Sequence, residues 1–387
     1  MRVLGLLAVV IAIVLAPAAF ASSSPMVGHW HGLPTAPIAP TSDVSAAWTP
    51  AGMIVFGQQQ IADPDGGVVA RRNVAAAFDP TDNRWFKLPE PPTTNGFLGT
   101  VSVWTGKEVV VWGQGTRLAF NPLTWKWRTL PSSKLLSVHD GYQVVAWTGR
   151  ELIGWGGGCC GDAFSDGVAY VPATNSWHAL PKAPLTPGGG TGAWTGSELV
   201  VISRDVDPNG KTYPARLARA AAYNPKTNTW RRIAAPPATG GTAVWDGGRV
   251  LLVGAGKDGT SLYGWTPSTN HWQRRDSLPS GRFGFAAAWS GTKLLVWGGY
   301  DRNGTPHAAP HGLAYDPHQD SWADLPASPL VGRYSPAGVW TGTALIVWGG
   351  SNPKPHSGTV AYSDGAMFTP GETEAQANQG GACGDGG

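Results

Sequence analysis

The sequence predicts an all-β protein, a seven-bladed β-propeller with four antiparallel strands per blade, and three observations predict it. An aromatic followed by a tight-turn pair recurs seven times at a spacing near fifty residues, and a repeat of that period marks a fold whose single units cannot bury both faces alone. Six of those units go on to a second aromatic with a tryptophan seven residues beyond it. Composition agrees, because 54 glycines, 33 prolines and 20 tryptophans with only 14% charged residues suit short strands separated by turns.

In chain order, residues 1–21 read as a Sec-type signal peptide. Arg2 gives a positive start, Val3 to Leu15 is an apolar run short for a bilayer, and Ala19-Phe20-Ala21 has the small-x-small form of a cleavage site. The mature chain is then expected to begin near Ser22 and to be secreted or periplasmic, the alternative being an uncleaved anchor. No other stretch approaches eighteen uninterrupted apolar residues, so no membrane span is expected in the mature chain. The formal charge of +3 falls to about +2 without Arg2, and its Lys and Arg residues are scattered, which argues against nucleic acid or an anionic membrane surface as partner.

Residues 22–370 carry the repeats and read as a single closed domain. The first strand of each unit ends in Trp48-Thr49-Pro50, Trp104-Thr105-Gly106, Trp147-Thr148-Gly149, Trp194-Thr195-Gly196, Trp245-Asp246-Gly247, Trp289-Ser290-Gly291 and Trp340-Thr341-Gly342. Each triplet sits between a small-residue strand and an apolar run, so it reads as a hairpin turn, and in the six that end in glycine that residue takes positive φ. Where the second strand carries a tryptophan (Trp112, Trp155, Trp297, Trp348), it falls eight residues after the first, which predicts one hairpin register.

The third strands carry Phe78, Phe120, Tyr170, Tyr223, Trp265 and Tyr315, each with a turn and then an outer tryptophan: Trp85, Trp127, Trp177, Trp230, Trp272 and Trp322. The seventh unit lacks its last tryptophan. Its third-strand aromatic is read as Tyr362, and its fourth strand as the amino-terminal stretch Gly28-His29-Trp30-His31-Gly32-Leu33-Pro34, which echoes Trp85-Phe86-Lys87-Leu88-Pro89. That pairing closes the ring and leaves only short outer edges. Only Trp125 is off register, so most tryptophans are expected to be mortar between blades rather than sugar platforms. Residues 371–387, rich in Gly, Gln, Glu and Ala without periodicity, read as a disordered tail.

These units resemble the kelch-repeat family over nearly the whole mature sequence, through the apolar run with its double glycine (Gly156-Gly157, Gly298-Gly299, Gly349-Gly350), the later Tyr and the Trp seven beyond it. The family includes protein-binding scaffolds, sialic-acid mutarotases and the propeller of galactose oxidase. The galactose oxidase likeness stops at the fold. Its copper site needs two Tyr, two His and a Tyr crosslinked to Cys, whereas here no Tyr is followed by His and the only cysteines are Cys159, Cys160 and Cys383. No cofactor is expected, and fold alone does not fix function.

The loops between second and third strands vary most in length and open on the same face as the blade-to-blade loops, so that face is the expected binding face for a protein or a glycan, on a module expected to be a monomer. Its Asp/Asn/Gly clusters, Asp63-Pro64-Asp65-Gly66-Gly67, Asp207-Pro208-Asn209-Gly210 and Asp301-Arg302-Asn303-Gly304, lack calcium-loop spacing and read as turns. Seven to eight residues before an inner tryptophan lie Arg282, Arg333 and His139-Asp140, expected around the mouth of the axial channel. Two arginines there would grip a carboxylate, with His139 or Asp140 as acid or base in an alternative mutarotase- or lyase-like reading. The favoured reading is that both arginines hold the mouth together. Cys159-Cys160 would close on itself, or one of the pair would join Cys383. His307, His311 and His318 cluster without partners at metal-ligand spacing, and no metal site is expected.

Overall fold

The computed structural model of the protein describes residues 25–371 apart from 40–41, 63–67, 96, 98, 114, 136–143, 159–162, 204–218, 257–258, 280, 301–308 and 354–358. The signal-peptide stretch, the tail from 372, His139, Asp140 and all three cysteines lie outside the described residues. Among the described residues there are strands and no helix, and so none long and apolar enough to cross a membrane.

Strand β1 (Gly28–Gly32) comes first. Blade 1 is β2 (Ser42–Thr49), β3 (Gly52–Ala62), β4 (Val68–Asp79) and β5 (Arg84–Lys87). Blade 2 is β6 (Val101–Trp104), β7 (Val109–Gly113), β8 (Thr116–Asn121) and β9 (Lys126–Thr129). Blade 3 is β10 (Val144–Trp147), β11 (Leu152–Trp155), β12 (Gly167–Val171) and β13 (Ser176–Ala179). Blade 4 is β14 (Gly190–Trp194), β15 (Leu199–Ser203), β16 (Ala220–Asn224) and β17 (Thr229–Arg232). Blade 5 is β18 (Thr239–Trp245), β19 (Val250–Gly256), β20 (Gly259–Thr266) and β21 (His271–Arg274). Blade 6 is β22 (Phe283–Trp289), β23 (Leu294–Tyr300), β24 (Gly312–Asp316) and β25 (Ser321–Asp324). Then come β26 (Ala337–Trp340), β27 (Leu345–Trp348), a small ribbon of β28 (Ser351–Pro353) and β29 (Thr359–Ala361), and β30 (Gly365–Pro370).

Each blade is a four-stranded antiparallel sheet, and the seventh has the order β1-β30-β27-β26. The amino-terminal strand is therefore the outer strand of the last blade, as the sequence predicts. The inner strands lie against one another all the way round, β26 against β2 included. This is a closed ring of seven blades.

One detail of the closure differs from the sequence reading. Trp30 pairs with Phe368, not with a strand at Tyr362. Phe368 and Trp30 thus repeat the register of Phe78 with Trp85, Phe120 with Trp127, Tyr170 with Trp177, Tyr223 with Trp230, Trp265 with Trp272 and Tyr315 with Trp322. Tyr362 instead follows the β28–β29 ribbon. The physical reason is the extra ribbon: it uses up the chain between β27 and the true third strand, so the first aromatic met after β27, Tyr362, is not the paired one.

The hairpin turns follow from their residues. In six blades the hydroxyl or carboxylate after the inner tryptophan accepts the backbone N–H three residues on, as in Thr105 to Glu108 at 3.1 Å, Thr148 to Glu151 at 3.0 Å and Asp246 to Arg249 at 2.6 Å. The glycine between takes φ from 88° to 103°, which a side chain adopts only with strain. Second strands read as apolar without alternation because they are covered on both faces, and β7, β11, β15 and β27 are buried throughout. Burying one such side chain contributes roughly 1.5–3 kcal/mol.

Blades are joined by the outer tryptophans. Each donates its indole N–H to the carbonyl of the residue four positions after the outer tryptophan of the preceding blade: Trp85 to Pro34, Trp127 to Pro89, Trp177 to Pro131, Trp230 to Pro181, Trp272 to Ala234, Trp322 to Asp276 and Trp30 to Pro326, all at 2.9–3.0 Å. Each such bond contributes about 1 kcal/mol net, and together they form a cycle. Toward the axis the packing allows little volume, since a Cβ on Gly338 would lie 2.7 Å from that of Ala286 in the neighbouring blade.

Candidate functional site

Antiparallel order places the second-to-third and blade-to-blade connections on one face, here the loop face. At blades 6 and 7 its floor is built on Arg282 and Arg333, each just before an inner strand. Both are buried, at 1% and 0% exposure, which is costly for a charge unless its hydrogen bonds are met. Arg282 donates to the carbonyls of Gly298 (3.4 Å) and His311 (3.0 Å). Arg333 donates to the carbonyls of Val331 (2.9 Å) and Gly349 (3.3 Å) and takes the Asp364 carboxylate with both terminal nitrogens, at 2.6 and 3.3 Å. The two arginines are thus equivalent, each reaching the first glycine of the double-glycine corner sixteen residues ahead.

Around Arg333 the surroundings suit a guanidinium. Its carbon lies 4.0 Å from the ring centre of Tyr362 and 5.9 Å from that of Trp297, so aromatic faces cover the cation. Asn352 donates to the Gly332 carbonyl (2.6 Å) and to the Tyr362 hydroxyl (3.2 Å), fixing that ring. Burial works to raise the Asp364 carboxyl, but the Arg333 hydrogen bond and charge outweigh it and hold it below the usual carboxylate value. At His311 burial lowers the imidazole, and the Arg282 charge pushes the same way.

Above this floor the face displays hydrocarbon. Phe283 packs edge-on against Tyr300, with ring centres 5.5 Å apart, and remains exposed. Val331 and Val360 are exposed as well. Ser335 donates its backbone N–H to the Gly284 carbonyl at 2.6 Å, and Tyr334 bridges to Ser351, so the edges of blades 6 and 7 form one continuous surface here.

The structure therefore brings Arg282 and Arg333 to the two flanks of the Gly298-Gly299 corner, with their polar ends directed to different carbonyls. His139, Asp140, Cys159, Cys160 and Cys383 lie outside the described residues, as do the three Asp/Asn/Gly clusters. Among the described residues no group of three or more His, Cys, Asp or Glu side chains is placed to hold a metal ion. Asp364, Phe283, Val331 and Val360 were not singled out by the sequence, and Tyr362 was read only as a third-strand aromatic. The sixteen-residue step from arginine to double glycine was a usable signal for the floor; the carboxylate left one too, since Ser363-Asp364-Gly365 repeats Ser165-Asp166-Gly167, with the Asp four residues before the third-strand aromatic.

A closed ring of seven four-stranded blades, with loops gathered on one face, is a seven-bladed β-propeller, and two kelch-like relatives support a kelch-repeat propeller. No family model matches the chain. Among curated proteins it is similar to the Kelch-like protein terF of Aspergillus terreus (strain NIH 2624 / FGSC A1156), at 27% identity over 208 residues, 49% of this chain and 44% of that protein. It is also similar to Kelch-like protein 25 of Xenopus tropicalis, at 28% identity over 164 residues, 41% of this chain and 26% of that protein. The match thus spans less than half the length of either relative.

Proposed function

We propose that this chain is an exported interaction module that binds a protein partner through its loop face at blades 6 and 7. The observation that carries the reading is three exposed apolar side chains at blades 6 and 7, Phe283, Val331 and Val360, beside a floor whose charged groups are already satisfied internally. Exposed apolar side chains on a rigid support favour a protein contact. The carboxylate held by Arg333 is the chain's own Asp364, and of the seven inner strands around the axis only β2 carries a titratable residue, Asp43. That arrangement supports binding over chemistry on an acidic sugar. Export rests on the composition of residues 1–21.

The test immobilises the wild type and variants Val331→Glu and Phe283→Ser, then follows capture from the organism's extracellular fraction alongside a glycan array. Capture of a discrete protein by the wild type, reduced at least tenfold in both variants, is the expected result. Glycan binding without protein capture, or equal capture by all three chains, overturns the reading.

A further inference from the structure

The turn joining third to fourth strand has a fixed rule in this ring, and blade 2 breaks it. Two residues before the outer tryptophan the backbone is left-handed at Asn83 (φ 49°), Asn175 (49°), Asn228 (53°), Asn270 (49°) and Asp320 (52°). Asn and Asp enter that region most readily among residues with side chains. Four of these side chains also accept a hydrogen bond from the third-strand aromatic of their own blade, at 2.7 Å from Tyr170, 2.8 Å from Tyr223, 3.2 Å from Trp265 and 2.6 Å from Tyr315. Blade 2 has Trp125 in this place, at φ 56°. An indole gains no such bond there, so the strain is carried without local compensation.

Its neighbour has changed with it. Between blades 2 and 3 the residue after one outer tryptophan reaches the left-handed residue of the next blade as a polar contact, Arg128 to Asn175 at 3.1 Å. Between blades 1 and 2 the same two places hold Phe86 and Trp125, with ring centres 6.2 Å apart at 70°. At the turn's tip stands Leu123, 87% exposed, beside Trp125 at 44%; the corresponding tip residues elsewhere are Thr81, Ala173, Lys226, Ser268 and His318. The turn is rigid and its backbone donors are used: Leu123 and Thr124 donate to Asn121 Oδ1 at 2.9 and 3.2 Å, and Trp125 donates to the Asn121 carbonyl at 2.9 Å. What faces solvent is hydrocarbon beside the Arg84 cation, with Lys87 and Lys126 exposed next to the two rings in sequence. Arg84 is exposed, stacks 5.0 Å from the Phe86 ring centre, and has no carboxylate partner among the described residues.

We propose that Leu123, Trp125, Phe86 and Arg84 form a second docking surface, on the rim opposite the loop face, for a protein segment that places an apolar side chain beside a carboxylate. The apolar side chain seats in the corner of the two rings and the carboxylate meets Arg84. A sugar suits the surface less well, because its hydroxyls would face Leu123 and a turn whose backbone donors are already occupied. A pre-ordered turn also binds with little loss of freedom.

A displayed library of random twelve-residue peptides, selected on the full chain and counter-selected on Trp125→Asn, tests this. Enriched peptides are expected to pair Leu, Phe or Trp with a neighbouring Asp or Glu. They should bind Trp125→Asn at least tenfold more weakly and Arg84→Glu several-fold more weakly, with a smaller loss for Leu123→Ser. Trp125→Asn installs the residue type used by the other blades, so its unfolding midpoint should match or exceed that of the wild type. The proposal is overturned if no such peptides emerge, if they bind both chains equally, or if the midpoint falls while binding is kept, which makes Trp125 a structural wedge. It is equally overturned if Trp125→Asn abolishes glycan-array binding or a concentration-dependent dimer instead, which assigns the surface to a sugar or to a second copy.

Discussion

The indole nitrogen of Trp30 lies 2.9 Å from the carbonyl oxygen of Pro326, so a residue close to the amino end fastens blade 7 to blade 6 by the same bond that joins every other pair of blades. Phe368, near the other end, packs on the same ring at 5.2 Å between centres. The closure is one more copy of the ordinary seam rather than a separate device.

Trp30→Phe is therefore expected to destabilise the ring as much as Trp177→Phe within a continuous stretch, by about 1–2 kcal/mol each, since each leaves one carbonyl without its donor. Urea unfolding should show both midpoints lowered with similar slopes. A Trp30 variant of wild-type stability would mean that the clasp carries no load.

Gly154 and Gly264 make a matched pair. A Cβ on Gly154 would run into the Trp112 ring of the neighbouring blade, whereas one on Gly264 would meet only the flexible stems of Arg249 and Arg275 at 3.6–3.8 Å. Gly154→Ala should cost about 1–3 kcal/mol and Gly264→Ala should stay within about 0.5 kcal/mol of wild type. Thermal unfolding of the two variants side by side checks the difference.

Arg333→Met is expected to destabilise by about 3 kcal/mol or more, because it leaves the carbonyls of Val331 and Gly349 and the Asp364 carboxylate without their donor. Asp364→Asn should cost less, its side chain being half exposed. The folded state holds the Asp364 carboxyl below its ordinary value, so its contribution is fully present above the unfolded value near about 4 and is lost as pH falls through the lower folded value. Acid unfolding should accordingly be less steep in Asp364→Asn, and identical acid limbs in the two chains would remove the pair from the stability of this face.

Val331 is exposed at the loop face, and Val331→Ser should leave the unfolding midpoint within about 0.5 kcal/mol of wild type while reducing partner capture. Loss of both together would mark a folding residue.

How much of this was legible follows from which features repeat. The tryptophan steps, the turn triplets and the small inner strands recur in every blade, so the ring, its register and its closing strand could be read before any coordinates. The exchange of Tyr362 for Phe368 arose where the repeat is interrupted by the β28–β29 ribbon; the Phe368-Thr369-Pro370 sequence has the same aromatic-x-Pro form as Tyr223-Asn224-Pro225 and marked the right residue. Features peculiar to one blade, such as the Tyr362 ring over Arg333, have no periodicity to reveal them. Trp125 lies between: its misfit was visible as a break in the pattern, but the left-handed backbone and the partnered change at Phe86 needed the structure.

Since the seventh blade is assembled from both ends of the polypeptide, the barrel of sheets stays open during synthesis until Pro370 has been made. Six vanes can take shape before then while the amino-terminal ribbon waits, and commitment to the final shape comes only as the last strand joins it.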